Sequence, residues 1–146
     1  KGVTEWHKKL QKEAVGKKEI TLPSGRQYAF PSARWTEWGT ATNRTAICNY
    51  PVQGFATADL LPIALVQLDN MMRGRKMKSV ICNTVHDSIV LDVHPDEKDG
   101  CINLLSYCMQ NLPAQTMNRY GVEYDMPVGI ELKIGKNWLD LEEVDL

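Results

Sequence analysis

Residues 80–93 show the pattern of two β-strands joined by a very short polar link. One apolar run ends at Val85, the other has apolar residues at every second position from Ile89, and His86-Asp87-Ser88 separates them. Two strand-like runs with so short a link predict a β-hairpin. The carboxylate of Asp87 is therefore expected at the hairpin tip.

Helical spacing of apolar residues occurs in three other parts of the chain. It predicts a short helix over Val3–Val15 with lysines among its polar positions, a long helix from Phe55 to Met72, and a helix that ends before Pro113. Residues 31–48 have no clear period and are expected to form a loop that gives way to regular structure near residue 45.

Further strands are predicted on either side of this region. Short apolar runs flank Pro23–Arg26, a link whose glycine can adopt positive φ, so a second hairpin is expected there with Arg26 near its tip. Strict alternation over Val128–Ile134 predicts a last strand. Together the elements predict an α+β fold: an antiparallel β-sheet with helices packed mainly on one face, preceded by a small helix and a β-hairpin.

Length and composition predict one domain. The chain has 146 residues, of which 43% are hydrophobic, and it contains no repeat. No apolar run approaches the ~20 residues that span a bilayer, and no signal peptide is evident, so a cytoplasmic protein without a membrane partner is expected. The four cysteines lack zinc-like spacing and are expected to be free thiols. The first residue is Lys1 rather than Met, which indicates a processed chain or a part of a longer one.

Charge is distributed unevenly, although the net charge is −1. Residues 1–44 carry nine Lys or Arg against four acids, residues 45–94 carry four of each, and residues 95–146 carry four bases against ten acids. The N-terminal part could therefore meet a polyanion while the C-terminal part faces water. We accordingly divide the single domain into a basic helix and hairpin region, 1–44, and a core region, 45–146.

The residues alone leave two interpretations of Asp87 open. Asp and Ser are ordinary turn residues that bond their own backbone. A carboxylate held on rigid strands is equally a good ligand for Mg²⁺, which in phosphoryl chemistry is bound by one or two carboxylates and substrate phosphates.

Three motifs, in this order, resemble the C-terminal palm of family A DNA polymerases. Leu22-Pro-Ser-Gly-Arg26 resembles the family's glycine-arginine hairpin, and the segment from Asn49 to Asp59, which begins Asn-Tyr-Pro-Val-Gln-Gly, resembles its Asn-x-Pro-x-Gln-Gly signature. Val85-His86-Asp87 resembles motif C, and Gly135-Lys-Asn-Trp138 resembles the usual terminal segment. The Gln-Gly segment looks most like that of bacteriophage members.

The resemblance implies a function and site residues. Asp87 would bind a catalytic Mg²⁺, and His86 would lie near the primer terminus, although it could also be a turn histidine bonded to backbone. Asn49 and Gln53 would reach the minor groove of primer–template DNA, with capping of a following helix as the alternative. Arg26 would contact DNA phosphate. A solvated basic face remains an alternative for the lysines of the first helix, and Arg44 lies one residue outside the family's register.

The resemblance is incomplete in ways that limit the chain. Ser88 stands where the family usually has Glu, and Asp59 is better explained as a helix-start acid than as a second ligand. Motifs A and B, which supply the other metal-binding aspartate and the nucleotide-binding helix, would precede this region. A two-metal site would therefore be completed by residues outside the chain.

Two functions follow from this incomplete match. The first is the C-terminal portion of a DNA polymerase, inactive alone, in the host bacterial cytoplasm if it comes from a phage. Its partners would be primer–template DNA, deoxynucleoside triphosphates in the complete enzyme and the missing N-terminal portion or subunit, and the exposed interface could self-associate. The second is a non-catalytic DNA-binding or assembly module that retains the palm, an alternative supported by Ser88.

Overall fold

The computed structural model describes residues 2–123 and 128–144. The helices are α1 (Gly2–Lys17), α2 (Arg44–Gln53), α3 (Leu61–Gly74), α4 (Lys98–Gln110) and α5 (Leu112–Tyr120). The strands are β1 (Glu19–Thr21), β2 (Gln27–Ala29), β3 (Val80–Val85), β4 (Ser88–Asp92), β5 (Lys133–Ile134) and β6 (Glu142–Glu143). A π-helical segment, Gly54–Leu60, joins α2 to α3, and a 3₁₀ turn, Pro95–Glu97, precedes α4.

The predicted α+β class is confirmed, but the strands are arranged differently from the expectation. Among the described residues they form three separate antiparallel pairs, β1–β2, β3–β4 and β5–β6, rather than one sheet. The residues group into two compact units, one ending at Asp59 and the other beginning at Leu60. The single partial domain divided at residue 44 stays a prediction.

The first unit packs α1 against the β1–β2 hairpin and α2. Helix α1 buries Leu10 and Ala14, which lie four residues apart and so share one face of the helix. The predicted hairpin is confirmed, and Gly25 at its turn has φ +85°, a conformation that L side chains rarely adopt. The buried core of this unit consists of Leu10, Ala14, Ile20, Phe30, Ala33, Ala41 and Ile47.

Helical structure begins earlier than the apolar pattern predicts. The helix expected from Phe55 starts instead with α2 at Arg44, and Pro51 lies inside α2. Proline removes a backbone donor within a helix, and the π-helical segment begins three residues later. Pro62 lies in the first turn of α3, where the missing donor costs little.

The second unit is built around α3, α4 and the inner face of the β3–β4 hairpin. Its main buried cluster consists of Leu68, Met72, Leu104 and Cys108. Ile89 and Leu91 of β4 pack against this cluster, as their alternation predicts. Cys48, Cys101 and Cys108 are buried, Cys82 is exposed, and all four are free thiols as predicted. No helix among the described residues is long and apolar enough to cross a membrane.

Two predictions about the C-terminal part were wrong in detail. Helix α4 does end before Pro113, but that proline lies in the first turn of α5, a helix that the sequence pattern did not reveal. The strand expected over Val128–Ile134 is reduced to β5, the two residues that pair with β6. Alternation gives a segment a buried face, but a strand also requires a neighbour that pairs with its backbone, and β6 offers only two residues.

Candidate functional site

Asp87 lies at the tip of the β3–β4 hairpin, as the sequence predicts. Val85 pairs with Ser88, so His86 and Asp87 alone form the link. His86 has φ +55°, a left-handed conformation in which histidine is more common than most residues with a side chain. Both side chains are exposed.

The Asp87 carboxylate makes no hydrogen bond or ion pair with any of the described residues. In this turn it is Ser88 that bonds the backbone, since its Oγ donates to the Val85 carbonyl oxygen at 2.8 Å. The imidazole of His86 likewise has no hydrogen-bond partner in the described part of the chain. The tip thus presents a carboxylate and an imidazole to solvent, and neither is committed to holding the turn.

Asp87 has no second ligand close to it in the described part of the chain. Residues 2–123 and 128–144 contain no group of three or more His, Cys, Asp or Glu that could hold a metal ion. Asp92 lies at the far end of β4, opposite Val80. The donor set at the tip is therefore one exposed carboxylate, which fits a metal only as one ligand among others supplied from elsewhere.

The other end of this hairpin is held by Glu97, a residue that sequence reasoning assigned to a helix start. Its carboxylate accepts hydrogen bonds from the Ser79 hydroxyl at 2.6 Å, the Ser79 amide at 2.8 Å and the Lys78 amide at 2.9 Å. These bonds, with the Ser79 hydroxyl first, lower the pKa of Glu97 to about 2. Because the buried Ser79 Oγ also accepts from the His94 amide at 3.0 Å, the start of β3 is tied to the chain that follows β4.

Asn49 and Gln53 lie inside α2, four residues apart and therefore on the same face. Both are exposed, whereas Ile47, Cys48 and Pro51 are buried. Neither amide side chain makes a hydrogen bond with the described residues. The alternative in which they cap a following helix is wrong, because the helix has already begun five residues before Asn49 at Arg44.

Arg26 is tied to Asp59 through its guanidinium. Its Nε and Nη2 lie 3.0 and 2.9 Å from Asp59 Oδ1, and the Ser24 hydroxyl donates to Oδ2 at 2.6 Å. The Asp59 side chain is 5% exposed and that of Arg26 is 43% exposed. The interpretation of Asp59 as a helix-start acid is wrong, since it lies in the π-helical segment and fixes Arg26 beside it.

Gly54 follows Gln53 directly and allows a close approach of Tyr28. A Cβ atom at Gly54 would lie 1.8 Å from the Tyr28 Oη and 2.8 Å from its Cζ. The Tyr28 ring in turn contacts the Tyr50 ring, with centroids 5.5 Å apart. The glycine of the Gln-Gly pair thus lets the β1–β2 hairpin pack against the helix that carries Asn49 and Gln53.

The chain matches known proteins over most of its length. The family model of DNA polymerase family A matches residues 1–140. DNA polymerase I of Lactococcus lactis subsp. lactis is 31% identical over 141 residues, which cover 95% of this chain and 15% of the relative. The DNA polymerase of Bacillus phage SP01 is 34% identical over 98 residues, which cover 67% of this chain and 10% of the relative.

A solved structure has the same fold. The POL domain of Pol1 from M. smegmatis, in complex with DNA primer-template and dNTP, matches with a TM-score of 0.71 at 22% sequence identity. The match covers 88% of this chain and 21% of that one. The chain therefore spans about a fifth or less of the length of the proteins that it matches.

Proposed function

The chain belongs to DNA polymerase family A, and on that premise we propose that it is the C-terminal portion of a DNA-directed DNA polymerase. The enzyme would extend a primer on its template with deoxynucleoside triphosphates, and the remaining polymerase portion would supply what this chain lacks. The observation that carries the proposal is the exposed Asp87 carboxylate at the tip of the hairpin, without a partner among the described residues. The similarity to the SP01 enzyme favours a bacteriophage polymerase acting in the bacterial cytoplasm.

Asp87 would contribute one ligand to a divalent-metal site. When bound, Mg²⁺ ions activate the attacking hydroxyl and offset charge on the leaving group. The absence of a complete ligand cluster among the described residues agrees with a site completed by carboxylates outside the chain. Ser88 cannot replace the family's second acid there, because its hydroxyl is neutral and already donates to Val85.

His86 would donate a hydrogen bond to the sugar or phosphate at the primer terminus. Its left-handed backbone conformation supports a functional role, since such conformations cost free energy in residues other than glycine and accumulate at functional sites. Its exposed imidazole keeps its donor available, as no described residue bonds it.

Asn49 and Gln53 would contact the minor groove of the primer–template duplex. Purine N3 and pyrimidine O2 are acceptors in every correct base pair, so amide donors can check pair geometry without reading sequence. Their common face on α2, their exposure and the lack of hydrogen bonds to described residues support this role. Arg26, 43% exposed and oriented by Asp59, would contact a backbone phosphate.

Complementation tests the catalytic assignment. The isolated chain should not extend a primed template, and adding the missing N-terminal polymerase portion should restore extension. In the restored enzyme Asp87→Asn should reduce the rate by about a thousandfold or more, because metal ions contribute several kcal/mol to such reactions. Asp92→Asn is the matched control, since it removes an exposed carboxylate from the same hairpin and should leave the rate unchanged.

The minor-groove assignment can be tested with a modified primer. A 3-deazapurine near the primer terminus lacks the N3 acceptor and should slow extension by the restored wild-type enzyme. The same base should have no further effect in Gln53→Ala, because the donor is already gone. Equal slowing in both enzymes would reject Gln53 as the contact, and Asn49→Ala tests the second amide in the same way.

The second candidate, a non-catalytic DNA-binding or assembly module, rests on the lone carboxylate and on Ser88. It predicts that Asp87→Asn leaves the restored synthesis intact. Binding of primed duplex by the isolated chain fits both functions, so the outcome of complementation decides between them.

A further inference from the structure

A cleft with basic and aromatic walls lies in the first unit, away from the residues discussed so far. It has a volume of about 320 Å³ and is lined by α1, by the loop around Trp35 and by the start of α2. Its charged lining residues are Lys8 and Lys12 of α1 and Arg44 of α2, and no acidic residue lines it. We refer to this site as the basic cleft.

The cations of the basic cleft are not neutralised within the described residues. Lys8, Lys12 and Arg44 are all exposed, and none has an ion pair with a described carboxylate. By contrast, Lys17 on the same helix pairs with Glu13 at 3.0 Å. Arg44 is also the first residue of α2, a helix whose N-terminal residue Asn43 provides no side-chain cap. Three unpaired cations at one concave site attract a ligand with several negative charges.

The shape of the cleft is held by hydrogen bonds that do not use these cations. Gln11 lies at its buried side, where its Oε1 accepts from the Ala41 amide at 3.0 Å and its Nε2 donates to the His7 carbonyl at 3.2 Å. The opposite wall is a tight turn in which the Thr36 amide donates to the Thr40 carbonyl at 2.8 Å. The cleft is therefore formed before any ligand arrives.

Trp35 narrows the choice of ligand. Its side chain lines the cleft and is 46% exposed, which is a large exposed area for an indole. An exposed indole beside cations favours a ligand that has both phosphates and a flat aromatic group, as a nucleotide does. In a duplex each base is already stacked on both sides, so an indole can stack only on a base of an unpaired strand.

We propose that the basic cleft binds a single DNA strand, with phosphates on Lys8, Lys12 and Arg44 and one base stacked on Trp35. This inference rests on the proposed function, since a polymerase meets an unpaired template strand next to its duplex. It assigns that strand a site separate from Asn49 and Gln53, which would contact the duplex.

Binding of a short fluorescein-labelled oligothymidylate to the full chain, followed by anisotropy, tests the cleft. Replacing Lys8, Lys12 and Arg44 together by Ala should weaken binding and reduce the slope of log K against log salt by about 2, since each phosphate contact on a single strand contributes about 0.7. Lys9→Ala removes an exposed lysine of α1 that does not line the cleft, and it should change neither quantity.

The stacking contact has its own pair of variants. Trp35→Ala should weaken oligothymidylate binding about tenfold, whereas Trp35→Phe should keep most of it because a ring remains. Trp38→Ala is the control, since Trp38 is 88% exposed but does not line the cleft. If polyglutamate competes as well as oligothymidylate and Trp35→Ala has no effect, the cleft binds anions only and the proposal is wrong.

This test and the complementation test fail independently. Retained oligothymidylate affinity in the triple variant would overturn the basic cleft but would leave the role of Asp87 untouched. Conversely, synthesis by the Asp87→Asn enzyme would overturn the proposed catalytic role, while the effects of Trp35→Ala on strand binding would still support the cleft.

Discussion

The pair of Arg26 and Asp59 gives the sharpest prediction about stability in the first unit. Arg26→Ala removes both guanidinium contacts to Asp59 Oδ1, at 3.0 and 2.9 Å, and leaves a carboxylate that is only 5% exposed. The remaining partner of this carboxylate is the Ser24 hydroxyl. The variant therefore strands most of a buried negative charge.

The expected cost follows from the burial of the two partners. Breaking a fully buried ion pair by removing one partner costs about 3–5 kcal/mol. Here the Arg26 side chain is 43% exposed, so water can enter beside Asp59 and replace part of the lost interaction. We expect Arg26→Ala to lower the free energy of unfolding by about 2 kcal/mol.

A double-mutant cycle separates this pair from other effects. Asp59→Ala should also destabilise, but once it is made, Arg26→Ala should cost little, because no buried charge is left behind. The coupling free energy should be about 1–2 kcal/mol, within the range found for contacting residues.

Urea unfolding followed by tryptophan fluorescence provides the assay. A Trp138→Phe background confines the signal to Trp6, Trp35 and Trp38, which belong to the unit ending at Asp59. With slopes of about 1–3 kcal/mol/M, a loss of 2 kcal/mol shifts the midpoint by about 1 M.

The control and the refuting result are defined by the same measurement. Arg34→Ala removes an exposed arginine of the same unit whose side chain has no partner among the described residues, and it should stay within about 0.5 kcal/mol of wild type. A coupling free energy near zero would show that Arg26 and Asp59 act independently and would refute the reasoning.

Three further predictions concern packing and pH. Gly54→Ala should lower the free energy of unfolding by about 1–3 kcal/mol, because the added Cβ forces the Tyr28 ring aside, and Tyr28→Ala should remove most of that loss. Leu104→Ala should cost about 2–5 kcal/mol in urea unfolding, since Leu104 is 1% exposed in the core of the second unit. Because the pKa of Glu97 is lowered from 4.5 to about 2, its stabilising contribution is complete above pH 4.5 and is lost as the pH falls towards 2. Melting temperature against pH should show this loss in the wild type and not in Glu97→Gln.

Matched substitutions check these three predictions. Gly74→Ala adds a Cβ where no atom lies within 4 Å and should not show the loss expected at Gly54. Leu139→Ala truncates a leucine that is 92% exposed and should cost much less than Leu104→Ala. Asp96→Asn, at an exposed neighbour of Glu97, should retain the acid sensitivity. An acid transition in Glu97→Gln equal to that of wild type would contradict the role assigned to the Ser79 bonds.

Local patterns in the sequence were sufficient for the elements that carry the candidate site. Two apolar runs joined by a polar link predicted the hairpin and placed Asp87 at its tip, because a strand's period and a short turn are properties of adjacent residues. The Pro23–Arg26 link and its glycine predicted the second hairpin for the same reason. The order of the motifs was enough to identify the family.

Partners that are distant in sequence could not be predicted. Arg26 and Asp59 are 33 residues apart, and the bonds from Ser79 to Glu97 span 18 residues. Each acid also has an ordinary local explanation as a helix-start residue, so its position in the sequence favoured the wrong interpretation.

The sequence by itself thus determined the chemistry at the hairpin tip, the α+β class and the family. Only the tertiary structure decided how the strands pair, that Asn49 and Gln53 lie inside a helix, and which acids hold Arg26 and the start of β3. The physical reason is that periodicity reports which face of an element is buried, whereas strand partners, ion pairs and clefts depend on which distant segments meet in the folded chain.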